Sequence, residues 1–218
     1  MIIREKLQAL MDKILKHFAG PSFADELRSA KAEFFDFAGH MDENGEQFEL
    51  RMSQFFDWYF YTRDLSGYGH PPLFCTETAR ELRVSREEMA LIDVMRAHRH
   101  SLFEFLKIKG NDVYGRDLLK NEKLVIRECP WTVGFSRDEI FDVRVLTAEG
   151  EHHFTRGFCF HPAQTKKFIL GEVKKHQKDP DLNPEDMMLR LIKMRYKHEQ
   201  YRHLDIGDIY TNDGKLGL

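Results

Sequence analysis

The segment from His153 to Phe160 holds the side chains best suited to chemistry. In an extended chain alternate residues share a face. His153, Thr155, Gly157, Cys159 and His161 then point one way, and Phe154, Arg156, Phe158 and Phe160 the other. The aromatic face is the natural core face. On the opposite face a thiol and an imidazole stand side by side, a pair that suits zinc or a supported thiolate. His153, Cys159 and His161 are therefore the candidate metal or nucleophile residues. A closed metal site needs about four ligands, and no second local cluster supplies them, so the sequence assigns no cofactor. The competing reading is a half-exposed sheet face that carries polar residues.

Other apparent motifs fail on spacing. His198-Glu199-Gln200-Tyr201-Arg202-His203 resembles a zinc-protease helix, but that motif needs histidines four apart. These two are five apart, so they diverge by about 140° around a helix. Asp64-Leu65-Ser66-Gly67-Tyr68-Gly69 matches half of a cyclic-dinucleotide pattern, but the RxxxR pair that would clamp phosphate is missing upstream. No P-loop, GxGxxG, GxSxG or CxxC occurs.

Two segments suit partners better than chemistry. Phe55-Phe56-Asp57-Trp58-Tyr59-Phe60-Tyr61 is the most distinctive run of the chain. Met52, Phe55, Phe56, Tyr59 and Phe60 follow core spacing on a helix. Asp57 and Trp58 fall outside that stripe, as does Arg63 just beyond it, and these three are expected on a partner surface. From Pro162 to His203 there are ten Lys or Arg against six acids, a net of +4. Lys174, Lys175 and Arg195 are the candidate contacts there for RNA or an acidic protein, unless the charges only solvate helix faces.

The elements that must position these residues follow from periodicity and punctuation. A first helix spans about Ile2 to Phe18, with Ile3, Leu7, Leu10, Ile14 and Phe18 in one apolar stripe and Lys6, Lys13, Lys16 and His17 outside it. That stripe docks on the body of the protein or on a second copy, so a homodimer can form through it. Helices are expected over about Phe23–Ala38, with Gly39 as cap, over Glu46–Thr62 and over Phe74–Leu82. Asp42-Glu43-Asn44-Gly45 reads as a turn. Ser85-Arg86-Glu87-Glu88 is a capping box that opens a helix to about Ala97.

After His100 the pattern changes to strands: Leu102–Ile108, Val113–Leu119, Lys123–Cys129, Ile140–Leu146 and His153–Phe160. Strands at this spacing without intervening helices imply an antiparallel sheet or small curled barrel. Pro162 starts a further helix to about Lys178. Asn183 as N-cap and Pro184 at the first helical position start the last, to about His203. The tail carries an Asp213-Gly214 turn and a short strand.

Composition bounds the rest. The 218 residues, 42% hydrophobic and 32% charged with 18 Phe, suffice for a sizeable aromatic core. The three cysteines, Cys75, Cys129 and Cys159, make an odd number without paired spacing, which suits free thiols in a reducing cytoplasm. No apolar run approaches the roughly 18 residues of a membrane helix, and a net charge of −3 excludes a globally basic nucleic-acid footprint.

Taken in order, Phe55-Phe56-Asp57-Trp58-Tyr59 with Arg63, a capped helix, Ser101-Leu102-Phe103-Glu104-Phe105, Arg116-Asp117-Leu118-Leu119 and Leu124-Val125-Ile126-Arg127-Glu128 resemble uncharacterised bacterial proteins often joined to a SEC-C zinc motif. The resemblance covers about residues 30–175. The Cys-rich SEC-C segment is absent, so its zinc and its protein-binding role do not carry over. The resemblance implies a helical layer plus a small β-barrel, and no established activity.

The expected fold is α+β: a helical region over 1–100, an antiparallel sheet or small curled β-barrel over 101–161, and two C-terminal helices with a tail over 162–218, together one compact unit. The expected role is a soluble cytoplasmic, non-catalytic binding or regulatory module with a protein or nucleic-acid partner. The alternative is an enzyme with a dispersed His/Cys site on the 153–161 strand.

Overall fold

A computed structural model describes residues 2–39, 45, 47–132, 134–179 and 181–213. Its architecture is α+β, with N-terminal helices, a curled antiparallel half-barrel and C-terminal helices. The first helix, α1 (Ile3–Phe18), buries Leu7, Leu10, Ile14 and Phe18. Its basic side is anchored on α4 (Arg86–Arg96): Lys6 pairs with Glu87 at 3.1 Å and Lys13 with Glu88 at 2.7 Å. The apolar stripe expected to serve a homodimer is thus covered from within the chain. The Ser85 capping box forms as expected, with the Glu88 amide donating to Ser85 Oγ at 3.1 Å and the Ser85 amide to Glu88 Oε2 at 2.7 Å.

Helix α2 (Ala24–Ala38) ends at Gly39, whose φ of +90° suits a residue without a β carbon. The first three residues of the expected Asp42-Glu43-Asn44-Gly45 turn lie outside the described residues. Helix α3 (Phe48–Tyr61) runs through the centre and buries Arg51, Gln54, Phe55, Asp57, Trp58, Tyr59, Phe60 and Tyr61. The expected apolar stripe is too narrow: Met52 and Phe56 are only half-buried, while Asp57 and Trp58 are buried on the other side. The expected helix Phe74–Leu82 is replaced by a 3-10 turn at Pro72–Phe74 and further turns. Thr76 and Thr78 donate their hydroxyls to the carbonyls of Leu73 and Cys75, a local alternative to the helical ladder.

The sheet comprises β1 (Arg99–Lys109), β2 (Asp112–Asp117), β3 (Glu122–Ile126), β4 (Ile140–Ala148), β5 (Glu151–Phe154) and β6 (Cys159–His161). Its order is β3-β2-β1-β4-β5, all pairs antiparallel, with β6 also against β4. A register shift between Phe105 and Lys107 of β1 bends the sheet, as bulges do. Period-2 alternation then sorts β4. Phe141, Val143 and Val145 join Phe103, Leu124, Phe154 and Phe158 inside the half-barrel. Ile140, Asp142, Arg144 and Leu146 face the helices.

The expected single strand His153–Phe160 is broken at residues 155–158. Side chains of α3 hold this break: Thr155 donates to Asp57 Oδ2 at 2.9 Å, and Gln54 donates to the Phe158 carbonyl. The aromatic face is interior as expected for Phe154 and Phe158, but the opposite face is not half-exposed. His153, Cys159 and His161 are all buried beneath helices.

Helix α5 (Lys166–Lys178) follows a 3-10 turn, and α6 (Pro184–Gln200) opens as expected, with the Glu185 amide donating to Asn183 Oδ1 at 3.0 Å. Met187, Leu191 and Met194 are buried at helical spacing, and Tyr201 is exposed. The tail forms one helical turn, α7 (Ile206–Ile209), rather than a strand, because Asp205 caps it through the Gly207 amide. Gly214 of the expected turn lies outside the described residues. Ile209 and Tyr210 pack with Leu102, Ile140, Ile169 and Met194 under the C-terminal helices.

Candidate functional site

The helix-facing side of β4 carries two charged residues, Asp142 and Arg144, where neighbouring positions are apolar. Arg144 is 3% exposed. It can stay there only because anions and acceptors surround it. One nitrogen, Nη1, lies 3.3 Å from Asp57 Oδ2. The other, Nη2, donates to Thr62 Oγ1 at 2.6 Å and reaches both Glu185 oxygens at 3.2 and 3.1 Å. The Tyr61 ring lies under the guanidinium at 5.3 Å.

The network continues along the sheet. His100 is the cross-strand partner of Arg144 and so shares its face. Its Nδ1 is 2.7 Å from Glu185 Oε1 and its Nε2 3.6 Å from Asp142 Oδ1. Asp142 stands opposite Cys159, and His161 follows two residues on, on the same face. His161 Nε2 is 3.5 Å from Asp142 Oδ2, and its Nδ1 is 3.1 Å from the Tyr210 hydroxyl. A chain of groups, Asp57–Arg144–Glu185–His100–Asp142–His161–Tyr210, therefore ties α3, β4, α6, β1, β6 and the residue after α7 together.

The environment sets the protonation of these groups. Burial pushes the Asp57 carboxyl up, against the opposing pull of Arg144. Burial also raises Glu185, but the charges of His100 and Arg144 outweigh it and hold that carboxyl well below the usual range. His100 is lowered by burial and by Arg144, yet Glu185 and Asp142 win, and the net direction is up. Burial pushes the Cys159 thiol well above its ordinary value, and the Asp142 charge adds to this. Cys159 is thus a protonated core thiol, not a poised nucleophile.

The structure regroups the residues singled out by sequence. Cys159 and His161 are neighbours, joined by Asp142, and the three ligand atoms lie within 4.8 Å of one another. His153 is elsewhere. It pairs opposite Leu146 and Cys159 opposite Asp142, four positions apart along β4, or about 13 Å. Its imidazole lines a small pocket of about 30 Å³ beside Arg4, Leu7 and Tyr61, and burial lowers its pKa. The dispersed His153/Cys159/His161 site does not assemble.

Asp57 and Trp58 do not reach the surface: they are 2% and 5% exposed. Trp58 packs on Phe34 at 5.3 Å. Arg63 is 9% exposed and pairs with Glu26 and with Glu33, fixing the end of α3 to α2. Lys174 and Lys175 are exposed on α5, and Lys175 pairs with Glu172 at 2.6 Å. Arg195 is half-buried, donating to the Phe160 carbonyl at 2.7 Å and pairing with Glu199 at 2.7 Å. Sequence reading missed His100, Asp142, Arg144 and Glu185 as a unit. The available signal was Asp142 and Arg144, two charges at alternate positions of an otherwise apolar strand.

The open concavities lie away from this network. A groove of about 520 Å³ runs between α5, the start of α6 and Asn212, lined by Lys175, Leu182, Asp186, Met187 and Arg190 among others. A second, of about 300 Å³, lies along the seam between β3 and the β4–β5 turn. No helix among the described residues is long and apolar enough to cross a membrane. Comparison with known proteins gives one result: residues 2–204 match a family of unknown function, DUF7986. No curated protein and no solved structure matches the chain.

Proposed function

Because the chain belongs to this family of unknown function, its role has to be read from its own geometry, and we propose that it is a non-catalytic binding module of the cytoplasm whose C-terminal helices grip a protein partner through an acidic segment. One observation carries this reading. The shifted groups Asp57, Arg144 and Cys159 are buried between sheet and helices, with His100 and Glu185 only partly exposed beside them, whereas a groove of about 520 Å³ lies beside the exposed lysines of α5. The likeness to SEC-C-associated bacterial proteins belongs to the same proposal.

Charge supports the partner's chemistry. Residues 162–203 carry a net of +4 in a chain of net −3, so this end is basic against an acidic remainder. Lys174, Lys175 and Lys178 are exposed on α5. The groove floor adds the apolar Met187, and its edge the 41% exposed Leu182. The exposed carboxylates of Asp179, Asp181 and Asp186 follow these lysines, and Asp186 lines the groove with Lys175. They would repel a continuous phosphate backbone but accommodate a protein segment of mixed apolar and acidic character.

The test is cross-linking capture with the full chain against Lys174→Glu/Lys175→Glu. A discrete protein recovered by the wild type and lost from the double variant supports the reading. Recovery of nuclease-sensitive nucleic acid in its place, or of the same protein by both chains, overturns it.

A further inference from the structure

We propose that Asp142, Cys159 and His161 form a binding site for a single divalent transition-metal ion of the zinc class, which would join β4 to β6 on the helix-facing side of the sheet. Sheet register brings the donors together: Asp142 and Cys159 are direct cross-strand partners, and His161, opposite Ile140, lies on the same face. Their ligand atoms all lie within 4.8 Å of one another. Donors so spaced leave a point at most about 2.8 Å from each, so zinc bonds of about 2.0–2.3 Å require each to close by roughly half an ångström. A thiolate, an imidazole and a carboxylate are a donor set zinc accepts.

A second observation points to a ligand. Asp142 Oδ2 and His161 Nε2 are buried and have no hydrogen-bond partner among the described residues. They face each other at 3.5 Å, beyond a good hydrogen bond. Two unsatisfied polar atoms in one buried place are costly, and one ion would satisfy both. The imidazole is also oriented for it. His161 Nδ1 meets the Tyr210 hydroxyl at 3.1 Å, and an Nδ1–H donated to that oxygen leaves the Nε2 lone pair aimed at the cluster. Such outer partners orient metal-binding histidines. His100 Nε2, 3.6 Å from the other carboxylate oxygen of Asp142, Oδ1, lies outside this set of three donors. On binding, the Cys159 S–H proton leaves to solvent and the sulfur lone pair forms the bond to the ion.

This site is independent of the proposed partner groove, and its test needs no partner. The full chain is stripped with chelator and titrated with Co²⁺. A thiolate-to-cobalt charge-transfer band at one equivalent, displaced by Zn²⁺, is expected. The band should vanish in Cys159→Ala and persist in Cys75→Ala. Tyr210→Phe should weaken zinc binding by about 10- to 100-fold. Should the Cys159 variant fail to fold, X-ray absorption of the zinc-loaded wild type decides: one sulfur with nitrogen and oxygen ligands supports the site. Absence of the band, its survival in Cys159→Ala, or a shell with no sulfur or several overturns it.

Discussion

A β carbon on Gly157 would stand 2.8 Å from both Cβ and Oδ2 of Asp57. Asp57 Oδ2 is the oxygen that faces Arg144 and accepts the Thr155 hydroxyl. The loop that breaks the strand thus lies flat on the carboxyl that anchors the buried network, and only glycine permits that approach.

Gly157→Ala should therefore destabilise the protein by about 2–3 kcal/mol, because the carboxyl is held from several sides and cannot retreat. Urea unfolding would measure it. A loss below about 0.5 kcal/mol would mean that the loop lifts without disturbing Asp57.

Removing Arg144 leaves Asp57 and Glu185 without their shared cation. Arg144→Met should cost about 3–5 kcal/mol. Arg144→Lys should recover only part, since an ammonium cannot fork between Asp57 and Glu185 as a guanidinium does. In a double-mutant cycle, Asp57→Asn on the Arg144→Met background should cost less than on the wild type. Additive losses would show that the two groups are not coupled.

Arg63 is a structural ion-pair residue in this fold. Arg63→Ala should lower stability by about 2 kcal/mol, because Glu26 and Glu33 lose their partner at a largely buried site, while leaving capture by the C-terminal groove unchanged. Lost capture at unchanged stability would return Arg63 to a partner surface.

Acid should weaken the fold in two stages. Burial, aided by the Arg144 charge, lowers His98 to about 4. A histidine neutral in the folded chain but protonated in the unfolded one favours unfolding below its unfolded pKa near 6.5. Its stabilising effect is therefore present above about pH 6.5 and lost between there and about 4, a change of about 1–3 kcal/mol. Glu185, held low by His100 and Arg144 after burial is overcome, adds a second loss only as pH falls below the ordinary glutamate value near 4.5. His98→Phe should flatten the stability profile between pH 6.5 and 4 and leave the lower stage intact. An unchanged profile in that upper window would exclude His98 as the titrating group.

Much of the scaffold was legible because its signals are local. The α1 stripe of Leu7, Leu10, Ile14 and Phe18, the Ser85–Glu88 capping box and the Asn183-Pro184 start of α6 each act within one or two helical turns. The failures have two causes, one local and one long-range. The helix expected over Phe74–Leu82 was outcompeted by Thr76 and Thr78 hydroxyls bonding backbone carbonyls. The strand His153–Phe160 was interrupted because α3, a hundred residues earlier, takes Thr155 and the Phe158 carbonyl as partners.

By itself, then, the sequence determined the order and type of most elements, the aromatic interior of the half-barrel and the basic C-terminal helices, since periodicity and end-capping depend only on near neighbours. Tertiary structure alone decided that Asp57 and Trp58 lie inside, that His153 is parted from Cys159 and His161, and that Asp142 completes the latter pair. Whether the second face of a helix is buried, and which strands stand opposite, depends on what packs across a long loop of chain. No spacing rule reaches that far.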